Sequence, residues 1–188
     1  MNDTIAKIIN KIEEKEKFID KLSKEIRELK NLKENPAQKE NEKKKMEDEI
    51  QKLWHLIVEK IPPFIKEENQ KDMIYSCGAL AKRFKEGDLT TSQIRNVYGE
   101  VKKIQMKNSM LKENEKIDVL PIRMLLPKLA YSAARAKKKG TEEFKDILTK
   151  GIETVLENED FNELKKRFEM FANFFEALLA YHKAEGGN

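Results

Sequence analysis

The chain has 188 residues, 38% charged and 39% hydrophobic, with a formal net charge of +4, which points to a soluble protein of one domain plus an extension. Seven glycines and five prolines are few for a loop-rich or all-β protein, and a single cysteine excludes a disulfide framework or a multi-cysteine metal site. No apolar run of transmembrane length and no signal-peptide pattern is present, so a cytoplasmic protein is expected.

The first predicted element is a coiled-coil strand. Ile5, Ile12, Ile19 and Ile26 at a, with Ile8, Lys15, Leu22 and Leu29 at d, give four heptads with one polar d position. The pattern breaks at Asn35 and Pro36 in the polar loop KENPAQKENEK. A second stripe, Met46, Ile50, Leu53, Ile57 and Ile61, then runs up to Pro62 and Pro63. The short connection predicts a hairpin over residues 1–61, although a coiled coil between chains would show the same pattern. Trp54 and His55 are expected to cover its seam or edge.

Beyond the proline pair, residues 64–188 read as a compact all-α bundle of about five helices. A helix from about Lys66 to Glu86 closes on Gly87 as a C-cap, and Met73, Cys77, Leu80 and Phe84 share its stripe, which makes Cys77 a small buried hydrophobe. The stretch LTTSQIRNVYGEVKKI follows. Thr90 and Gln93 are placed for a capping box, and Leu89 can staple onto Ile94. Ile94, Val97, Tyr98, Val101 and Ile104 form the apolar stripe, with Arg95, Lys102 and Lys103 on the far side and Gly99 among them. A glycine in mid-helix costs about 1 kcal/mol relative to alanine. Facing outward, Gly99 is either tolerated on a solvated face or leaves a shallow gap in a basic stripe along which a polyanion lies.

After the polar loop KENEKID come PIRMLL and PKLAYSAARAKKKG, where Pro121 and Pro127 suit first-turn positions. Leu129, Ala130, Ala133 and Ala136 share an apolar side. Lys128, Arg135 and Lys139 lie opposite, with Ser132 in the gap and Tyr131 at the margin. The pairs Arg95/Lys102 and Lys128/Arg135 thus each straddle two helical turns, roughly 10 Å, a spacing that suits phosphates one or two nucleotides apart. In TEEFKDILTKGIETVLE, Phe144, Ile147, Leu148, Ile152 and Val155 point inward. The last helix starts at a capping box of Asp160 and Glu163, carries Phe161, Leu164, Phe168, Phe171, Phe175 and Leu178 as core or subunit interface, and ends near Gly186.

Charge is unevenly spread. Residues 61–139 hold 17 Lys and Arg against 9 Asp and Glu, while residues 140–188 hold 6 against 11. Four of the six arginines, Arg83, Arg95, Arg123 and Arg135, fall in the basic segment, and guanidinium is the better fork for phosphate. No sheet motif with stacking aromatics, GXXG loop or zinc-finger spacing is present, so contacts would fall on a nucleic-acid backbone with little sequence preference. His55 and His182 lie far apart without metal or nucleophile spacing. No catalytic site, metal or cofactor is expected.

Three blocks, LTTSQIR at 89–95, LLPKLAYSAAR at 125–135 and FFEALLAYHK at 174–183, resemble the motif blocks of the small all-helical subunit of type III-A CRISPR (Csm) effector complexes. The resemblance spans about residues 65–187 and implies a non-catalytic subunit. Such a subunit stacks in several copies along a ribonucleoprotein filament, among the other effector subunits, and holds the target RNA and guide RNA duplex through basic residues. By position it implies RNA contact for Arg95, Lys128 and Arg135. Lys102, Lys103, Arg123 and Lys139 rest on their helix faces or charge alone. The hairpin of residues 1–61 looks longer than the family's usual N-terminus. The competing reading is a coiled-coil structural or adaptor protein whose basic face is merely solvated. Lipid binding is disfavoured because the apolar stripes are needed for the core.

Overall fold

The computed structural model describes residues 4–112, 115–158 and 160–186, and two residues of the KENEKID loop lie outside them. Every element among the described residues is helical, and most helix starts have a local cap. Thr4 caps α1 (Ile5–Asn31), and Asn35 accepts from Ala37 N–H at 2.9 Å to start α2 (Ala37–Val58). Ile8, Ile12, Leu22 and Ile26 of the heptad pattern are buried. Lys15, the polar d residue, reaches Glu49 on α2 at 2.5 Å, Lys30 meets Glu40 at 2.8 Å, and Lys39 pairs with Glu25. These partners run in opposite order along the two helices, so α1 and α2 close on each other as an antiparallel hairpin.

The chain divides into two compact units, Met1–Ile57 and Val58–Asn188. The second begins ahead of the proline pair, because those prolines open a helix as well as ending one. They occupy the first two positions of the short α3 (Pro62–Ile65), where a missing N–H costs nothing. Phe64 and Ile65 on it are buried, and the Phe64 ring lies 6.1 Å from that of Phe174. The following helix starts later than the predicted Lys66, since Glu67 is left-handed at φ 61° and Asn69 supplies the cap of α4 (Gln70–Glu86).

α5 (Thr91–Ser109) begins on the predicted capping box. Gln93 N–H donates to the Thr90 hydroxyl at 3.3 Å, and Thr90 N–H donates back to the Gln93 side chain at 2.9 Å. The short α6 (Val119–Arg123) is capped by Asp118, and Pro127 falls in the first turn of α7 (Leu125–Ala136). α8 (Lys139–Leu156) starts two residues before the predicted Thr141. α9 (Phe161–Ala184) is capped by Asp160, which accepts from Asn162 and Glu163 N–H. The return arm of the expected box is replaced, because Asp160 N–H donates to Asn158 instead, at 2.9 Å.

α9 packs against α3, α4, α5 and α8. That central place explains its composition: Leu164, Phe168, Phe171, Phe175 and Leu178 are buried as predicted, and so is Phe174 on a second side. Phe161 at the entrance is 38% exposed, with the Lys116 ammonium 5.1 Å above its ring. Edge-on ring contacts, Phe84 to Phe144 at 5.7 Å, Phe144 to Phe175 at 5.6 Å and Phe175 to Tyr98 at 5.4 Å, tie α4, α8, α9 and α5 together. Fully burying one such side chain stabilises by about 1.5–3 kcal/mol. Cys77 is buried in this core, and desolvation pushes its thiol up to about 12.

Gly87 is the C-cap of α4 with φ −85°, a backbone any residue adopts. Its glycine is needed for another reason: a Cβ there would stand 2.4 Å from the Gly140 nitrogen, and a Cβ on Gly140 would stand 2.3 Å from the Phe84 carbonyl oxygen. The end of α4 and the start of α8 meet backbone to backbone, with Gly140 N–H donating to Gly87 O at 2.8 Å.

Candidate nucleic-acid interface

The predicted basic residues lie on α5 to α8. The stripe of α5 is as expected, with Ile94, Val97, Val101 and Ile104 buried and Arg95 and Lys103 exposed. α5 and α7 pack on each other, and α6 touches both. Arg123 ends α6, while Lys128 and Arg135 lie exposed on α7 opposite buried Leu129 and Ala133.

Arginines and lysines here differ in what holds them. Among the described residues, Arg95, Arg123 and Arg135 have no carboxylate within ion-pair distance and no hydrogen bond. The lysines are engaged. Lys102, half-buried, lies 2.9 Å from Glu176 of α9, donates to Gln105 at 2.9 Å, and sits 5.5 Å above the Tyr98 ring. Tyr98 also donates to Glu176, at 2.9 Å. The Lys102 bond holds the Glu176 carboxyl below its ordinary range, and the same bond raises Lys102.

Glu100 brings two predicted residues together. Lys103 on its own helix lies 2.8 Å from one oxygen, and Lys128 of α7 pairs with the other. Hydrogen bonds from Lys103 and then Lys128 hold the Glu100 carboxyl down to about 2. Around this bridge α5, α6 and α7 form a cleft of about 220 Å³. Its other lining cation, Lys107, lies 3.5 Å from Asp118. Sequence reasoning missed Lys107 and Glu100. Their spacing from Lys103, one turn on either side, was the available signal, but only the α7 packing turns it into a cleft.

Lys139 does not continue the α7 stripe. Lys137 adopts a left-handed backbone at φ 51°, which ends α7, and Lys139 opens α8 with its ammonium 4.0 Å from Glu143. Nor is Arg83 a phosphate fork. Buried, it grips Glu143 with two hydrogen bonds, at 3.0 and 2.6 Å.

Two of the motif blocks meet inside the bundle. His182 of AYHK is buried, and its Nε2–H donates to the Leu89 carbonyl at 2.9 Å, which fixes the tautomer, while Nδ1 accepts from the Thr91 hydroxyl at 3.3 Å. Burial pushes its pKa down, so the neutral ring locks the end of α9 onto the start of the helix that carries Arg95.

Gly99 faces open space, with nothing within 4 Å of a built Cβ. We expect Gly99→Ala to raise stability by about 0.4–1 kcal/mol, read as a higher urea midpoint at unchanged slope. A lower midpoint would show that the backbone at this position cannot accept a Cβ.

The described residues form an all-α bundle with Arg95, Arg123 and Arg135 exposed on α5, α6 and α7, and among them lie no cluster of metal-ligating side chains and no helix long and apolar enough to cross a membrane. The sequence model of the Csm2 family, type III-A, matches residues 67–188, and the chain belongs to that family. It is therefore a subunit of the type III-A CRISPR effector, and membership implies association with the other Csm subunits and with RNA. No curated protein and no solved structure matches the chain. The α1–α2 hairpin lies outside the matched region.

Proposed function

We propose that this subunit is a non-catalytic clamp on the RNA of the effector. It holds the target RNA and guide RNA duplex by its phosphate backbone, with little base preference, and stacks with further copies of itself along the complex. The observation that supports this reading best is the state of Arg95, Arg123 and Arg135. In a chain with 34 Asp and Glu, these three exposed guanidinium groups have no acidic partner among the described residues. Exposed ion pairs contribute only about 0–1 kcal/mol, so what counts is availability: these guanidinium groups are open to phosphate, whereas Lys102, Lys103 and Lys128 are already engaged. Residues 64–188 form the RNA-contacting domain in this reading, and the hairpin of residues 1–61 serves assembly.

The test is binding of the full chain to labelled single-stranded and duplex RNA across a salt series. We expect log affinity to fall linearly with log salt, with a slope near −0.7 to −0.9 per phosphate neutralised, and similar affinities for unrelated sequences. A flat salt response, or strong preference for one sequence, would remove the backbone-clamp reading and leave the adaptor reading.

A further inference from the structure

The cleft between α5, α6 and α7 already contains an anion, and that anion is the protein's own. Glu100 spans Lys103 and Lys128, which belong to different helices, and Lys107 lines the same cleft. Its floor is apolar, with Ile104 and Leu125 both buried. At about 220 Å³ the space is smaller than the roughly 300–1,000 Å³ typical of sites for whole organic ligands. It suits one compact anionic group better than a nucleoside.

Resting on the RNA-clamp reading above, we propose that this cleft is a phosphodiester-binding site in which the Glu100 carboxylate occupies the place of the RNA phosphate until RNA displaces it. Both groups are anions that accept hydrogen bonds from ammonium donors. Glu100 is only partly exposed, at 34%, yet it sits on the solvent side of α5, so its side chain can swing out by rotation. Displacement exchanges a carboxylate for a phosphate on the same two lysines. The free protein is thereby less attractive to stray polyanions than its lysine count suggests, and a strand positioned by Arg95 and Arg135 engages the cleft as a second step.

The test is Glu100→Gln in the full chain, which keeps size and hydrogen bonding and removes the charge. The probe is a fluorescein-labelled oligouridylate. At low salt we expect affinity to rise about five- to tenfold. The salt slope should stay close to the wild-type value, because the same two lysines meet phosphate in both proteins once the wild-type carboxylate is displaced. Adding Lys128→Gln should remove most of that gain. In the wild-type chain, RNA should shift the Glu100 side-chain carboxyl carbon resonance at neutral pH. Unchanged or weaker binding of Glu100→Gln, in a protein whose wild type binds RNA with a steep salt slope, overturns the displaced-carboxylate site and leaves the clamp reading standing. Absence of salt-dependent binding in the wild type overturns both.

Discussion

Arg83→Ala lowers the stability of the bundle by about 3–5 kcal/mol, as much as truncating one of its buried phenylalanines. The Arg83 side chain is 4% exposed and that of Glu143 is 10% exposed, so the loss of Arg83 leaves a nearly buried carboxylate whose two hydrogen bonds from the guanidinium are gone, with the Lys139 ammonium 4.0 Å away. The bidentate geometry adds to this, because both carboxylate oxygens are satisfied by one planar group. Against a total stability of roughly 5–15 kcal/mol, that loss is a substantial fraction. The variant's melting temperature should drop by roughly 6–20 °C at about 2–4 °C per kcal/mol. Arg83→Lys should fall between wild type and Arg83→Ala, since an ammonium is a point charge rather than a fork. Arg83→Leu with Glu143→Leu should recover most of the loss, because no nearly buried carboxylate is then left without its guanidinium. Urea denaturation of the set gives the answer. A double variant as unstable as the single one would mean that the pair is valued for its shape in the α4 to α8 contact rather than for its charge balance.

Arg83 also shows which parts of this protein can be read from one sequence. Signals that act within a turn or two are readable: the Thr90 and Gln93 box, the α5 stripe, the buried face of Met73, Cys77, Leu80 and Phe84, and the aromatic row of α9 all follow from spacing. Signals that act across the fold are not. Arg83 looked like one more base in a basic segment, and only the packing of α4 on α8 brings it to a carboxylate 60 positions away. Lys102 likewise finds Glu176 at a separation of 74. The α7–α8 junction was misread for a different reason. Lys137, a non-glycine residue in a left-handed conformation, leaves no mark in composition, so a lysine-rich run seemed to extend the helix through Lys139. The prolines at 62 and 63 misled in the opposite sense, because the residue that stops one helix is also well suited to begin the next. For the candidate interface, the two residues placed by both helix face and family resemblance that remain unpaired, Arg95 and Arg135, are arginines. The resemblance-placed lysine, Lys128, is already engaged by Glu100.

That distinction sets up the functional prediction. Arg95→Glu combined with Arg135→Glu should weaken RNA binding by well over tenfold at moderate salt and reduce the salt slope by about two, since each change removes one phosphate neutralisation and adds a repulsion. The fold should survive. Both side chains are exposed and give up no partner among the described residues. The one expected cost is a glutamate in the last turn of α7, about 0.3–1 kcal/mol through the helix dipole. The control has to match the charge change without touching the face. Lys71→Glu with Lys165→Glu does so, because both lysines lack an ion-pair partner among the described residues and sit in the early turns of α4 and α9, where a carboxylate is favoured. Fluorescence anisotropy on the full chain, with circular dichroism to check helicity, compares the two double variants directly. A large loss for the arginine pair and a small one for the lysine pair locates the RNA on the α5 and α7 face. Equal losses would mean that RNA responds only to the total charge of the chain, and Arg95 and Arg135 would then be solvated side chains of an assembly subunit whose RNA contacts lie elsewhere.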